Sequence, residues 1–159
     1  MIITLDQFTV GEYRISGLVL SNNINIAQQA IADNVQYYID KYEPLYLREL
    51  MGDKLAKEFE SYISSGSKDD AEFDRLKSLF LSSSSPVVMY VYYYYTKRET
   101  AITIASMTED DNIKNIVSSS GRMMVSAWNE MVEINRGLAD LFCYPTHKNI
   151  STPINDINL

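Results

Sequence analysis

The residue types on which most catalysis and metal binding depend are scarce in this chain of 159 residues. It contains one histidine, His147, and one cysteine, Cys143. The zinc motif HExxH, a di-iron bundle and a Ser-His-Asp triad all need histidine at set positions, and the single histidine follows the last predicted helix. Cys143 has no second cysteine for a disulfide, so we interpret it as a structural thiol. The six glycines form no phosphate-binding motif, and the sequence predicts no catalytic, metal or cofactor site.

Three consecutive acidic residues, Glu109, Asp110 and Asp111, are the next candidates for chemistry. Carboxylates can hold a cation, but an EF-hand loop needs alternating acids, a glycine and a closing glutamate at fixed spacings. That pattern does not continue after Asp111. Thr108 precedes the acids and is a good N-cap residue, and the helix dipole favours negative charge in a first turn. We therefore expect a solvated helix N-terminus here.

Tyrosine is the unusual feature of the composition, with 12 in the chain and four in a row, Tyr92, Tyr93, Tyr94 and Tyr95. In a helix these four side chains point in directions about 100° apart, so they cannot all face one small core. Two interpretations stay open: the rings pack within the chain with their hydroxyls at the rim, or they form a subunit interface. Base stacking is disfavoured by the formal net charge of −7, because nucleic-acid binding needs clustered positive charge.

Helix signals occupy most of the chain from residue 24 onward. Apolar residues at steps of three and four predict a helix over 24–42, which Pro44 is expected to stop or kink. Gly52 is expected to end the turns that follow, as a C-cap glycine does. The next apolar stripe predicts a second helix over 55–63.

Cap residues mark the starts of three further helices. Asp69 or Asp70 is expected to cap a short one, and Ser85 with Pro86 is a strong signal for the next. The Val- and Tyr-rich segment after Pro86 has strand composition, but a strand of about twenty residues is rare, so we predict a helix. A regular apolar stripe over 113–141 then predicts a long helix that packs along another.

The predicted fold is all-α: a helical bundle with long C-terminal helices and extended N- and C-terminal arms. We assign residues 1–22 to an N-terminal arm, in which one or two short strands could form. Residues 23–143 form the helical bundle domain, and residues 144–159 form a C-terminal arm. The apolar run over 87–95 is too short for a membrane span, and the N-terminus does not read as a signal peptide, so we expect synthesis in a cytoplasm-like compartment.

Several segments of the chain resemble a known group of proteins. They are YEPLYLRELMG at 42–52, KLAKEFESYI at 54–63, the Tyr-rich helix that ends in KRET at 97–100, and AWNEMV at 127–132. Together they resemble the small helical head–tail connector, or ring, proteins of tailed bacteriophages, especially those of crAss-like phages. The resemblance spans roughly residues 22–142 and includes no catalytic signature.

The resemblance implies a virion structural protein at the head–tail neck, assembled in the host cytoplasm. Copies would form a ring, commonly of twelve subunits, that docks below the portal protein and extends the DNA channel. A downstream tail protein or second ring protein would bind the other side, and DNA would pass without sequence-specific binding. In this setting we expect Tyr92, Tyr93, Tyr94 and Tyr95 at the subunit interface, and Glu109, Asp110 and Asp111 facing the channel.

One alternative shares the same composition. A small helical adaptor or regulatory protein that binds a single protein partner would also be acidic, helical and without a catalytic motif. It differs in assembly, because such an adaptor is expected to be a monomer or dimer, whereas a connector subunit is expected to form rings.

Overall fold

The computed structural model describes residues 1–65, 70–82, 84–106 and 111–142, with side chains described for all of these except 106, 111–118 and 139–142. Four helices account for most of them: α1 (Ile26–Ser65), α2 (Ala71–Phe80), α3 (Pro86–Ser106) and α4 (Asp111–Phe142). The described ranges contain no strand. The prediction of an all-α helical bundle is therefore confirmed.

The helices α2 and α3 begin at the caps that the sequence predicts. The Asp70 carboxylate accepts hydrogen bonds from the backbone N–H groups of Glu72 and Phe73, at 3.1 and 3.2 Å. The Ser85 hydroxyl accepts one from the backbone of Val88 at 3.4 Å, and Pro86 occupies the first helical position. Each cap satisfies donors that have no partner within the helix, which fixes where the helix starts.

Helix α1 is longer than the sequence predicts. It continues through Pro44, so the expectation that this proline stops the helix is not met. Tyr46 and Leu47, immediately beyond Pro44, are fully buried, and their packing holds the backbone helical despite the lost donor. The expectation for Gly52 is met: its φ of 79° is left-handed, and it divides α1 into two helical segments.

Helix α3 lies at the centre of the bundle. It runs antiparallel to α1, with the Tyr38 ring against the Tyr95 ring at one level and the Tyr46 ring against the Tyr90 ring further along. It also runs antiparallel to α4, where Trp128 stacks on Tyr90. The short helix α2 closes one end of the bundle, where an aromatic cluster consists of Phe59, Tyr62, Phe73 and Phe80.

The N-terminal residues pack on the bundle rather than extending from it as an arm, and they contain a short 3₁₀ helix, Leu5–Phe8, instead of a strand. We call residues 1–18 the strap. Its apolar side chains are buried against the helices, and they are Ile2, Ile3, Phe8, Tyr13, Ile15 and Leu18. The strap is thus part of the core of this chain. The expected C-terminal arm, residues 144–159, and Cys143 lie outside the described residues.

Candidate functional site

The four consecutive tyrosines all contact other aromatic rings of the same chain. Tyr92 is buried, at 6% exposure, and its ring lies 5.3 Å from that of Tyr13 in the strap. Tyr95 is half-buried against Tyr38, with ring centroids 5.5 Å apart and the rings nearly perpendicular. Burial raises the pKa of Tyr95 to about 12. These two side chains contribute to the packing of α3 against the strap and α1.

Tyr93 contacts α4, and Tyr94 contacts α1. The Tyr94 ring stacks on the Tyr42 ring at 4.1 Å with an interplanar angle of 10°. Tyr93 lies against Trp128 of α4 at 4.6 Å. Tyr93 and Tyr94 are also in edge contact with each other, with centroids 5.2 Å apart. All four of these side chains are half-buried, so part of each ring faces solvent.

These four half-exposed rings form a continuous row that we call the aromatic ridge: Tyr42, Tyr94, Trp128 and Tyr93. A lysine lies over each end of the ridge. Lys41 Nζ is 5.1 Å from the centroid of the Tyr42 ring, and Lys97 Nζ is 5.6 Å from that of Tyr93. On a chain with a net charge of −7, the ridge is therefore an apolar surface with cationic ends. Aromatic residues are enriched in protein interfaces, and the quadrupole of a ring attracts a cation that lies over its face.

Beneath the ridge, two tyrosine hydroxyls are used inside the fold. The Tyr46 hydroxyl donates to Asn135 Oδ1 at 2.6 Å, and both residues are buried. The Tyr90 hydroxyl donates to the Glu49 carboxylate at 2.9 Å. Burial raises the pKa of Tyr46 and of Tyr90 well above the ordinary value, so both remain protonated donors. Their role is structural, because they fix α1 against α3 and α4.

A buried carboxylate anchors the start of the strap. Glu43 of α1, at 5% exposure, accepts hydrogen bonds from the backbone N–H groups of Ile2 and Ile3 at 2.9–3.0 Å. Burial raises the pKa of Glu43, while these N–H groups act in the opposite direction. Buried carboxylates are expensive unless hydrogen-bonded, so the anchor also explains why Glu43 is tolerated in the core.

The middle of the strap is fixed on α4. The Tyr13 hydroxyl donates to the Glu130 carboxylate, beside the contact between Tyr13 and Tyr92. Burial and the hydrogen bond to Glu130 together raise the pKa of Tyr13. Further along, the backbone at Gly17 approaches α1 closely, since a Cβ there would lie 2.9 Å from Ile31 Cδ1. The strap therefore crosses from α1 to α4 and returns to α1.

The structure places only part of the predicted acidic cluster. Asp111 begins α4, as expected for a helix N-terminus, while Glu109 and Asp110 lie outside the described residues. Within the described ranges, no three His, Cys, Asp or Glu side chains are grouped so that they could hold a metal ion. The channel-facing position of the three acids and the subunit-interface position of Tyr92–Tyr95 concern an assembly, and both stay predictions.

Sequence reasoning missed two polar residues that organise this region. Glu43 and Asn135 are both buried and hydrogen-bonded, yet each lies at a position where an apolar residue would be expected. The predicted stripes included neither residue, but each lies four residues after a buried apolar one, Ile39 or Met131, and so on a buried helix face where a polar residue needs a specific partner. Their partners are distant in sequence, so the stripes alone could not name them.

Comparison with models of known protein families finds no match to this chain. Searches among curated proteins and among solved structures also find no match. None of the helices, in the part of the chain that the structure describes, combines the length and the apolar character that a membrane crossing requires.

Proposed function

We propose that this chain is the subunit of a homo-oligomeric ring with a structural role and no enzymatic activity, of the head–tail connector kind that its sequence resembles. The ring, commonly of twelve subunits in such proteins, docks below a portal protein and extends the DNA channel in the virion neck. A tail protein or second ring protein binds its other side. The observation that carries the proposal is the aromatic ridge, which suits contact with another copy of the chain.

The shape and charge of the ridge support a second copy as its partner. A closed ring needs heterologous contacts, in which one surface of a subunit meets a different surface of the next. The ridge supplies one such surface, with rings that bury area at low entropic cost. Its lysines, Lys41 and Lys97, complement the net negative charge of another copy of this acidic chain.

The net negative charge of the chain also suits the inner wall of a DNA channel. A wall with negative charge repels phosphate, so DNA slides along it instead of binding. We assign the channel-facing position to Glu109, Asp110 and Asp111, as the sequence suggests. Replacing all three with lysine should make assembled rings retain DNA in a filter-binding assay, and unchanged retention would reject this assignment.

The test of the ring combines light scattering with negative-stain imaging of purified protein, alone and with added portal protein. We expect ring-shaped oligomers. In Lys97→Glu the cationic end of the ridge becomes anionic, and the association constant of this variant should be lower by about fivefold or more, since the loss of one interface charge contact costs on the order of 1 kcal/mol or more. Lys57→Glu is the matched control: it makes the same charge change at an exposed lysine on α1 that has no contact with the ridge.

Two results would count against the proposal. A chain that stays monomeric at every protein concentration tested, and that does not bind portal protein, would reject the ring. It would favour the alternative of an adaptor that binds one partner. Rings that form equally well in Lys97→Glu and Lys57→Glu would show that the ridge is not the subunit interface. Circular dichroism of both variants should match the unmodified chain, because each substituted lysine is exposed.

A further inference from the structure

The strap has an unusual combination of properties: it is well buried, but it is joined to the bundle by an exposed connection. Its backbone and side chains contact all four helices, through Glu43 of α1, Phe80 of α2, Tyr92 of α3 and Glu130 of α4. Its own turns are closed internally, for example by the hydrogen bond from Ile15 N–H to Phe8 carbonyl at 2.8 Å. It is therefore a compact element that could move as one piece.

The connection between the strap and α1, residues 19–25, is exposed except for the half-buried Ile24. Its hydrogen bonds are local, from Asn23 to Ser21 and between Asn25 and Gln28 at the start of α1. Seven residues of extended chain span up to about 23 Å, at about 3.3 Å per residue. The connection is long enough to carry the strap to the surface of an adjacent molecule.

Exposed apolar side chains cluster at this connection and at the edge of the strap. Val19, Leu20 and Ile26 are exposed around the connection, and Ile26 is 91% exposed at the start of α1. In the middle of the strap Val10 is 71% exposed, and with Leu81 at the end of α2, which is 51% exposed, it lines a groove of about 230 Å³. Apolar surface of this kind beside an element that crosses the bundle is expected where a second molecule covers it.

We infer that the strap exchanges between neighbouring copies, so that residues 1–18 of each subunit occupy on the next subunit the cleft that they occupy on their own bundle in the isolated chain. The occupant of the cleft is thus a second copy of this chain. This inference rests on the proposed ring and names one of its subunit contacts.

The exchange is energetically cheap because it conserves the contacts of the strap. Glu43 would accept the same two backbone N–H groups, and Tyr13 would meet the same Glu130 and Tyr92, now in the adjacent subunit. Exchange of identical elements between protomers needs no new surface, only a connection that can open. Repeated around a ring, each subunit gives its strap to one neighbour and receives one from the other, which is a heterologous contact.

Chemical cross-linking across the groove tests the exchange. Val10→Cys and Leu81→Cys are introduced together in a Cys143→Ser background, so that each chain has one thiol on the strap and one on the bundle. Both positions are exposed and line the same groove, so the substitutions should be tolerated and a short bismaleimide can join them. A dilute monomer should link internally and keep the mobility of a single chain on a denaturing gel.

Assembled rings should give the opposite product. With exchange, the two thiols that share a groove belong to different chains, so linking converts most of the protein into a ladder of covalent oligomers. The matched control, Asp53→Cys with Lys57→Cys, places both thiols one helical turn apart on α1 of the same chain and should give single chains in every state.

The outcomes separate the exchange from the ring itself. One outcome is that the Val10→Cys, Leu81→Cys variant forms rings in which cross-links join thiols only within single chains. This result would overturn the exchange and leave the ring proposal standing. Protein that forms no rings, alone or with portal protein, and links only internally would overturn both. A covalent ladder from rings, with the control still running as single chains, supports the exchange.

Discussion

Replacing Glu43 with alanine tests the anchor of the strap. The carboxylate accepts the backbone N–H groups of Ile2 and Ile3 in a buried site, so the variant removes the acceptor for both donors. A buried donor without its acceptor costs about 1–3 kcal/mol. The variant also removes a buried charge, which offsets part of the loss. We expect the free energy of unfolding to fall by about 2–4 kcal/mol.

For a chain of this size, that loss should lower the melting temperature by roughly 5–15 °C, at about 2–4 °C per kcal/mol. Thermal and urea unfolding, followed by circular dichroism, measure it. In the Glu43→Ala variant, limited proteolysis should also cleave within the strap faster than it does in the unmodified chain. The control is Asp40→Ala, which removes an exposed acid one turn earlier on α1 and should change stability by less than about 0.5 kcal/mol.

The pH dependence of the same variant checks the physical cause. Burial raises the folded-state pKa of Glu43 above its ordinary value, so the folded chain binds this proton more tightly than the unfolded chain. The stability that Glu43 contributes is then fully present below its unfolded pKa and is lost as pH rises through the folded pKa. The stability difference between the unmodified chain and Glu43→Ala should therefore be larger at acid than at neutral pH. A difference that grows toward neutral pH would refute this reasoning, because it would mean that the N–H groups outweigh burial.

Two further predictions concern buried and strained positions. In Tyr46→Phe the Asn135 side chain loses the hydroxyl that it accepts from at 2.6 Å, and urea unfolding should show a loss of about 1–3 kcal/mol. Adding Asn135→Leu should recover part of this loss, because both polar groups are then gone; a further loss of stability would contradict the explanation. Gly52→Ala should cost about 1–2 kcal/mol from its φ of 79° alone, since nothing lies within 4 Å of a Cβ at that position. An equally stable Gly52→Ala variant would show that the break in α1 can close into continuous helix.

The parts of the fold that the sequence predicts are those fixed by local chemistry. Ser85 and Asp70 start helices because their side chains satisfy free backbone donors within three residues, and Gly52 breaks α1 because glycine, without a Cβ, adopts a positive φ at low cost. Pro44 shows the limit of local rules. Its ring disfavours helix, but Tyr46 and Leu47 are buried beside it, and tertiary packing prevails over propensity.

The strap and its anchor could not be predicted in the same way. Glu43 lies 40 residues or more from the N–H groups that it accepts from, and no sequence pattern gives a contact at that separation. The apolar residues of the strap have neither a helical nor an alternating period, so they indicated an extended arm. Only the assembled bundle offers the cleft in which those side chains are buried.

The strap also changes how the four tyrosines should be understood. A helix packed on one neighbour would leave most of Tyr92–Tyr95 exposed, so the sequence left open both packing within the chain and a subunit interface. Helix α3 instead has neighbours on three sides: Tyr92 meets the strap, Tyr93 meets α4, and Tyr94 and Tyr95 meet α1. The surfaces left for another copy are therefore the outer edge of the ridge and the cleft that holds the strap. If the strap leaves for a neighbour, Tyr92 loses its cover unless another strap arrives, so exchange and ring closure must occur together.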